Sequence, residues 1–532
     1  MNTLLLVGLG LVLYIVFYQL YGRRLADHLV RQDPERPTPA HRLKDGVDYV
    51  PTPRGVLFGH HFASIAGASP IVGPAIAMAW GWLPGILWIW AGNVFLGAVH
   101  DYLALMASVR NDGRSVQWVA GRLMNRRTGL FFQVFILFTL ILIIAAIASI
   151  IAGLFHRIPE VATASGLFIL SAVITGWLLY RTPLGLVGGT VVGLVLTAAS
   201  VWLGFRYPFS LSAHTWLILL WLYAGLASSL PVWILLQPRD YLNAYLLWFG
   251  LALGALALIL GVEGFHLPAF TTWQAHVVSG VPSPFWPVVP LIIACGSLSG
   301  FHSIVASGTT SKQLNRETDG LFIGFGAMFT EGFLSTLVVA AIAAFGATVL
   351  TGVASGFGAD EVARSYTTWI GSVGGPVAIF AKSYGLAVER VFRVSANLIA
   401  VFASLWVSAF ALTTLDTTNR IGRFVVNELA TELHLPLLQR LFARSRLLAS
   451  FAVGALGTWL AWGGGWHLLW PAFGGANQML ASIALMTVAL WVARELPSSR
   501  GYRLAVLFPA LFLWVTVTAA LVWYLLAVIP GT

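Results

Sequence analysis

Asp101, Glu331, His100 and His302 stand inside apolar stretches of the chain. A charge at mid-membrane costs at least about 2.5–3.5 kcal/mol on insertion scales, so such residues face a protein interior or an ion path and exchange protons there. Asn93, Gly97 and His100 share one helix face with Asp101 beside it, and Glu331 precedes Gly332. Asp101 and His100, with His302 and Glu331, are therefore candidates for proton coupling. The competing reading makes Asp101 a paired structural carboxylate and Glu331 a protonated core residue. In Cys295–Thr310, Ser299, Ser303, Ser307 and Thr310 fall on one helical stripe by i, i+4 and i+3 steps. Hydroxyls so aligned offer oxygens to sodium, with Ser299 and Ser303 the leading pair, or bond back to their own helix.

Two other segments offer backbone rather than side-chain chemistry. His60–Pro74 packs two prolines, two glycines and two serines into a short stretch. Proline removes donors and glycine permits unwinding, so the helix is expected to break near mid-membrane. Backbone freed in hydrocarbon is tolerated only where it lines a protein cavity, which makes Ser64, Ala66, Gly67 and Ser69 candidate substrate contacts. Tyr223–Trp233 is again small, polar and proline-interrupted, with Ser228, Ser229 and Trp233 as its candidates.

Other chemistries lack their residues. The histidines form neither HExxH nor a pair at i, i+4, so no metal site is expected. No GxxxxGK[ST] loop points to ATP. No nucleophile stands at credible spacing from a base, so catalytic residues are absent from the reading. A lone cysteine, Cys295, excludes an intrachain disulfide.

The elements that position these residues are membrane helices. Of 532 residues 58% are hydrophobic and 9% charged, against roughly 25% charged in soluble domains. Runs long enough to cross a hydrocarbon core of about 30 Å recur along the chain. The reading is an all-α polytopic bundle of about 14 spans, the second near 56–80, the seventh near 214–236 and the ninth near 287–309. The short segment 373–389, which holds Lys382, is a partial helix. With the N-terminus outside, most of the 30 Lys and Arg residues fall in inside loops, as the positive-inside rule requires. Both termini are then outside, and the positive charge needs no nucleic-acid partner. Two interrupted spans of opposite direction, five apart, predict an inverted five-helix repeat. The expected organisation is a first peripheral helix and basic loop (1–55), a core (56–415) of halves at 56–204 and 214–415, a cytoplasmic connector helix (416–445) and three peripheral helices (446–532). Asp416 is read as a cap for that connector, beside Thr417, Thr418 and Asn419.

Several runs together resemble the carbon starvation protein A (CstA) family. They are Gly59–Gly67, Gly97–Asp101, Leu230–Trp233 with Pro238–Tyr241, Ser299–His302, Gly308–Gln313, Asp416–Thr418 and Trp470–Gln478. Ser69 stands where the family's Gly-Ala-Gly-Pro form has glycine. The resemblance implies an inner-membrane uptake protein linked to nutrient limitation, taking up peptides or pyruvate, and a relation to the amino acid–polyamine–organocation (APC) superfamily with its LeuT-like core. The expected function is import of a small carboxylate or short peptide by proton or sodium symport, with no cofactor beyond the coupling ion. Its partners are the small-molecule substrate and the lipid bilayer, with a homo-oligomer left open. The alternative is a membrane-embedded nutrient sensor acting through a signalling partner.

Overall fold

A computed structural model describes residues 1–46, 48–230, 234–354, 361, 365–463 and 466–531. Among them, 10 helices are long and apolar enough to cross a membrane, from Thr3–Val30 to Arg500–Val528. The pair Arg54–Ala66 and Ser69–Trp80, bent by 43° at the break, is together long and apolar enough to cross as a broken span or to re-enter as a loop. Other apolar helices are shorter: Ala213–Ser229, Pro376–Phe392 and Leu447–Gly463. Among the described residues the strands form one antiparallel hairpin, Gln274–Val278 with Val281–Pro284.

The residues group into two compact units, each discontinuous in sequence. One comprises Met1–Val7, Leu140–Thr271 and Leu337–Trp470; the other comprises Gly8–Thr139, Thr272–Thr336 and Pro471–Thr532. In the first unit the helices Pro159–Arg181 and Gly185–Arg206 lie together, and a methyl on Gly189 would come within 2.7 Å of Leu179. Small residues let apolar helices approach where no hydrophobic effect drives them together. In the second unit a continuous core runs from Tyr14 and Leu25 through Tyr102, Leu298 and Met328 to Leu485 and Val517. The basic loop after the first helix is folded onto this unit: Thr38 Oγ1 donates to the Leu314 carbonyl at 2.6 Å, and Arg110 pairs with buried Glu317.

Two expectations change, and a third falls outside the described residues. The ninth span is not one helix: Phe285–Ile292 ends, residues 293–299 are unwound, and Gly300–Gly308 resumes. The serine stripe therefore does not start at Ser299, which is extended (φ −144°, ψ 132°) and precedes the helix. The Ala213–Ser229 helix simply stops at Ser229, and the next begins at Leu236; Pro231, Val232 and Trp233, expected at the second break, lie outside the described residues. Asp416 is no cap, because the 37-residue helix Ala396–Glu432 runs straight through it.

Candidate functional site

Two helix breaks meet in the second unit. Gly67 ends the Arg54–Ala66 helix at φ 51°, and Gly296 sits within the unwound 293–299 at φ 78°. Both are left-handed values that glycine adopts without a Cβ penalty. The chains touch closely around them: a methyl on Gly73 would come 2.7 Å from the Ile292 carbonyl, and one on Gly97 would strike the Ser297 carbonyl. Ser335 Oγ donates to the Pro70 carbonyl at 2.7 Å.

Unwinding in an apolar span strands backbone groups, each of which needs a partner. Carboxamides supply them at alternate residues. Asn477 Nδ2 donates to the Ala294 carbonyl (2.8 Å), Asn93 Nδ2 to that of Gly296 (2.7 Å) and Gln478 Nε2 to that of Leu298 (2.9 Å). Asn477 Oδ1 also accepts from the Phe301 N–H at 3.0 Å. Asn477→Ala therefore leaves two buried backbone groups unpaired, at about 1–3 kcal/mol each. The expected result is a loss of about 2–6 kcal/mol, read as an earlier heat-induced collapse of the purified protein in detergent, with Asn477→Asp intermediate.

The ionisable residues converge on this segment. Asp101 Oδ1 is 2.8 Å from His100 Nδ1, and Asp101 Oδ2 is 2.8 Å from His302 Nδ1. On its other side His302 Nε2 faces Glu331 Oε2 at 3.4 Å. Glu331 Oε1 accepts the Gly296 N–H at 3.1 Å, tying the carboxylate to the unwound backbone. All four side chains are fully buried. An ionised carboxylate only accepts, so His302 Nδ1 donates to Asp101 and Nε2 is left to bind or release a proton. Nε2 and Oε2, though close, are off hydrogen-bonding geometry and have no other hydrogen-bond partner. The row carboxylate–imidazole–carboxylate thus ends on two free proton-binding atoms facing each other.

Asp101, His100, His302 and Glu331 are thus brought together. Ser299 Oγ and Asn477 exchange hydrogen bonds at 3.1–3.2 Å, and Ser303 Oγ donates to the Gly300 carbonyl at 2.7 Å. Ser64 Oγ bonds back to the His60 carbonyl at 2.9 Å; Ala66 and Gly67 form the break itself, and Ser69 opens the following helix. Ser228 and Ser229 belong to the other unit, where Ser229 donates to the Gly225 carbonyl (2.6 Å) and Asn419 Nδ2 to Ser228 Oγ (3.0 Å). In that unit Asp416 binds Arg239 Nη1 at 2.5 Å, with Tyr223 and Asp240 around the guanidinium. The sequence reading did not single out Cys295 or Asn477 as site residues. Asn477 lies in a run that carried the family resemblance, a signal that gives no role.

Comparison with known proteins gives the setting. A family model described as carbon starvation protein CstA matches residues 2–520. The chain is 32% identical to a protein of Bacillus subtilis (strain 168) named peptide transporter CstA, covering 98% of this chain and 90% of that one. It is 31% identical to a protein of Escherichia coli (strain K12) named pyruvate/proton symporter BtsT, with 99% and 80% covered. The fold resembles that of MhsT, solved in complex with L-phenylalanine, with TM-score 0.53 and 14% identity over 89% of this chain and 98% of that one.

Proposed function

Because the chain belongs to the carbon starvation protein CstA family, we propose that it imports a small carboxylate or a short peptide together with a proton. It is a membrane transporter and not an enzyme. The observation that carries the proton reading is the buried row Asp101–His302–Glu331, anchored through Gly296 to an unwound stretch of a membrane span. Two carboxylates in such a place demand compensating positive charge. A proton shared between His302 Nε2 and Glu331 supplies it, and loading or losing that proton changes the pull on the Gly296 N–H. The coupling ion is thereby linked to the backbone that shapes the cavity.

Cargo is held at the two breaks. The N–H groups of Ile71, Val72, Phe301 and His302 are already bonded and Pro70 has none, so at the N-termini of the Ser69–Ala77 and Gly300–Gly308 helices a carboxylate is held by the helix dipoles and the N–H groups of Ser69 and Gly300. Ser64, Ala66, Gly67 and Ser69 line the first break. Ser299 and Ser303 support the second rather than forming a sodium site, since imidazole and carboxylate are the groups suited to a proton. Alternating access follows from rocking of the two inverted halves, in the inner membrane with both termini outside.

Uptake into proteoliposomes tests this and separates the cargo classes. A monovalent carboxylate entering with one proton carries no net charge, so one pH unit should accumulate it about tenfold and membrane potential alone should not. A zwitterionic dipeptide with one proton carries one charge, and about 100 mV inside-negative adds about 2.3 kcal/mol, close to fifty-fold. Accumulation driven by a sodium gradient alone, or by none of these, would sink the proposal.

A further inference from the structure

The Cys295 thiol lies beside the proton row and interacts with the His302 ring. One donor atom from each of Cys295, His302 and Glu331 lies within 4.8 Å of the others, and all three residues are buried. The atoms are also pre-set. His302 Nδ1 is held by the Asp101 carboxylate, which fixes Nε2 as the outward-facing nitrogen. Glu331 Oε1 is held by the Gly296 N–H, which leaves Oε2 free. Nε2 and Oε2 are both without a hydrogen-bond partner. A carboxylate behind a histidine, with the histidine's far nitrogen free, is the arrangement that orients metal-binding imidazoles.

We infer that Cys295, His302 and Glu331 form a binding site for a borderline divalent cation of the Zn2+ type, and that the cation arrests transport by displacing the proton from His302 and Glu331. The arrest rests on the relay reading above; the binding does not. Sulfur, imidazole nitrogen and carboxylate oxygen are the donors Zn2+ takes, at about 2.0–2.3 Å, with a fourth position left for water. His302 Nε2 and Glu331 Oε2, 3.4 Å apart, already match that bite. Drawing the thiol in by about 1 Å completes it. Binding releases two protons to solvent, the thiol's and the one shared by His302 and Glu331, so a doubly charged ion replaces two unit charges. Hard cations such as Mg2+ and Na+ gain nothing from sulfur and should not compete.

The test uses Co2+ as an optical probe on the purified full-length protein in detergent. Cys295 is the only cysteine in the chain, so any sulfur-to-cobalt charge-transfer absorption arises there. The expected result is a saturable band at one Co2+ per chain, erased by Zn2+, unchanged by Mg2+, and lost in Cys295→Ser. Absence of the band from folded wild-type protein overturns the site without need of any variant. In proteoliposomes Zn2+ should block wild-type uptake, while Cys295→Ser should transport normally and need at least about tenfold more Zn2+ for the same block. Equal sensitivity of the two proteins overturns the arrest. If wild-type protein takes up no cargo at all, the transport reading fails while the cobalt titration still decides the metal site.

Discussion

Asp101→Asn should give a folded protein that no longer concentrates its cargo. The substitution keeps size and shape, and the carboxamide oxygen still accepts from one imidazole. It removes the charge that holds two histidines at 2.8 Å each and that sets which nitrogen of His302 faces Glu331. An amide offers an N–H on its second side, so the His302 ring must turn or protonate differently, and the proton-binding atom no longer meets Glu331. Accumulation under a one-unit pH gradient should drop from about tenfold to about one. Cargo exchange at equilibrium, which needs binding but no net proton movement, should survive in part. Measuring both separates lost coupling from lost folding. A variant that concentrates cargo as the wild type does would remove Asp101 from the mechanism.

A second large effect is expected in the other unit, on stability. Arg239 is fully buried and donates to Asp416 at 2.5 and 3.3 Å and to Tyr223. Removing one partner of a buried pair leaves the other charged and uncompensated, which costs about 3–5 kcal/mol. Asp416→Ala should fall at the lower end, because Asp240 Oδ1 stays 3.3 Å from the guanidinium. Heat-induced loss of the monodisperse species in detergent would report it. Arg239→Met combined with Asp416→Leu should recover only part of the loss, since the apolar pair needs no compensation but buried Asp240 loses its guanidinium partner. If Asp416→Ala alone is as stable as the wild type, the pair is not holding the Leu236–Leu260 and Ala396–Glu432 helices together.

The parts of the site that were legible in the sequence are the ones that violate the composition of a membrane span. Asp101, His302 and Glu331 stand out because ionisable groups are expensive there. The break at Gly67 stands out because prolines and glycines crowd around it. The break at 293–299 was not legible, since it contains no proline and its small residues suit a helix equally well. Its unwinding is enforced by Asn93, Asn477 and Gln478, which lie far away in sequence. The three donors at Cys295, His302 and Glu331 come from the unwound stretch and two helices, a spacing no local motif describes. Asp416 was misread because Asp-Thr-Thr-Asn resembles a helix cap, and only its partner Arg239 shows that the helix continues.

That long-range bracing bears on how the protein is made. A ribosome delivers residues 285–308 to the membrane well before Asn477 and Gln478, whose amides take the Ala294 and Leu298 carbonyls. Until the Trp466–Glu495 helix enters the bilayer, those carbonyls have no partner other than their own chain, and a continuous helix is the one conformation that satisfies them. The nascent protein therefore inserts this segment straight and unwinds it late, so chains stalled before Asn477 carry the proton-row residues without the backbone geometry that joins them.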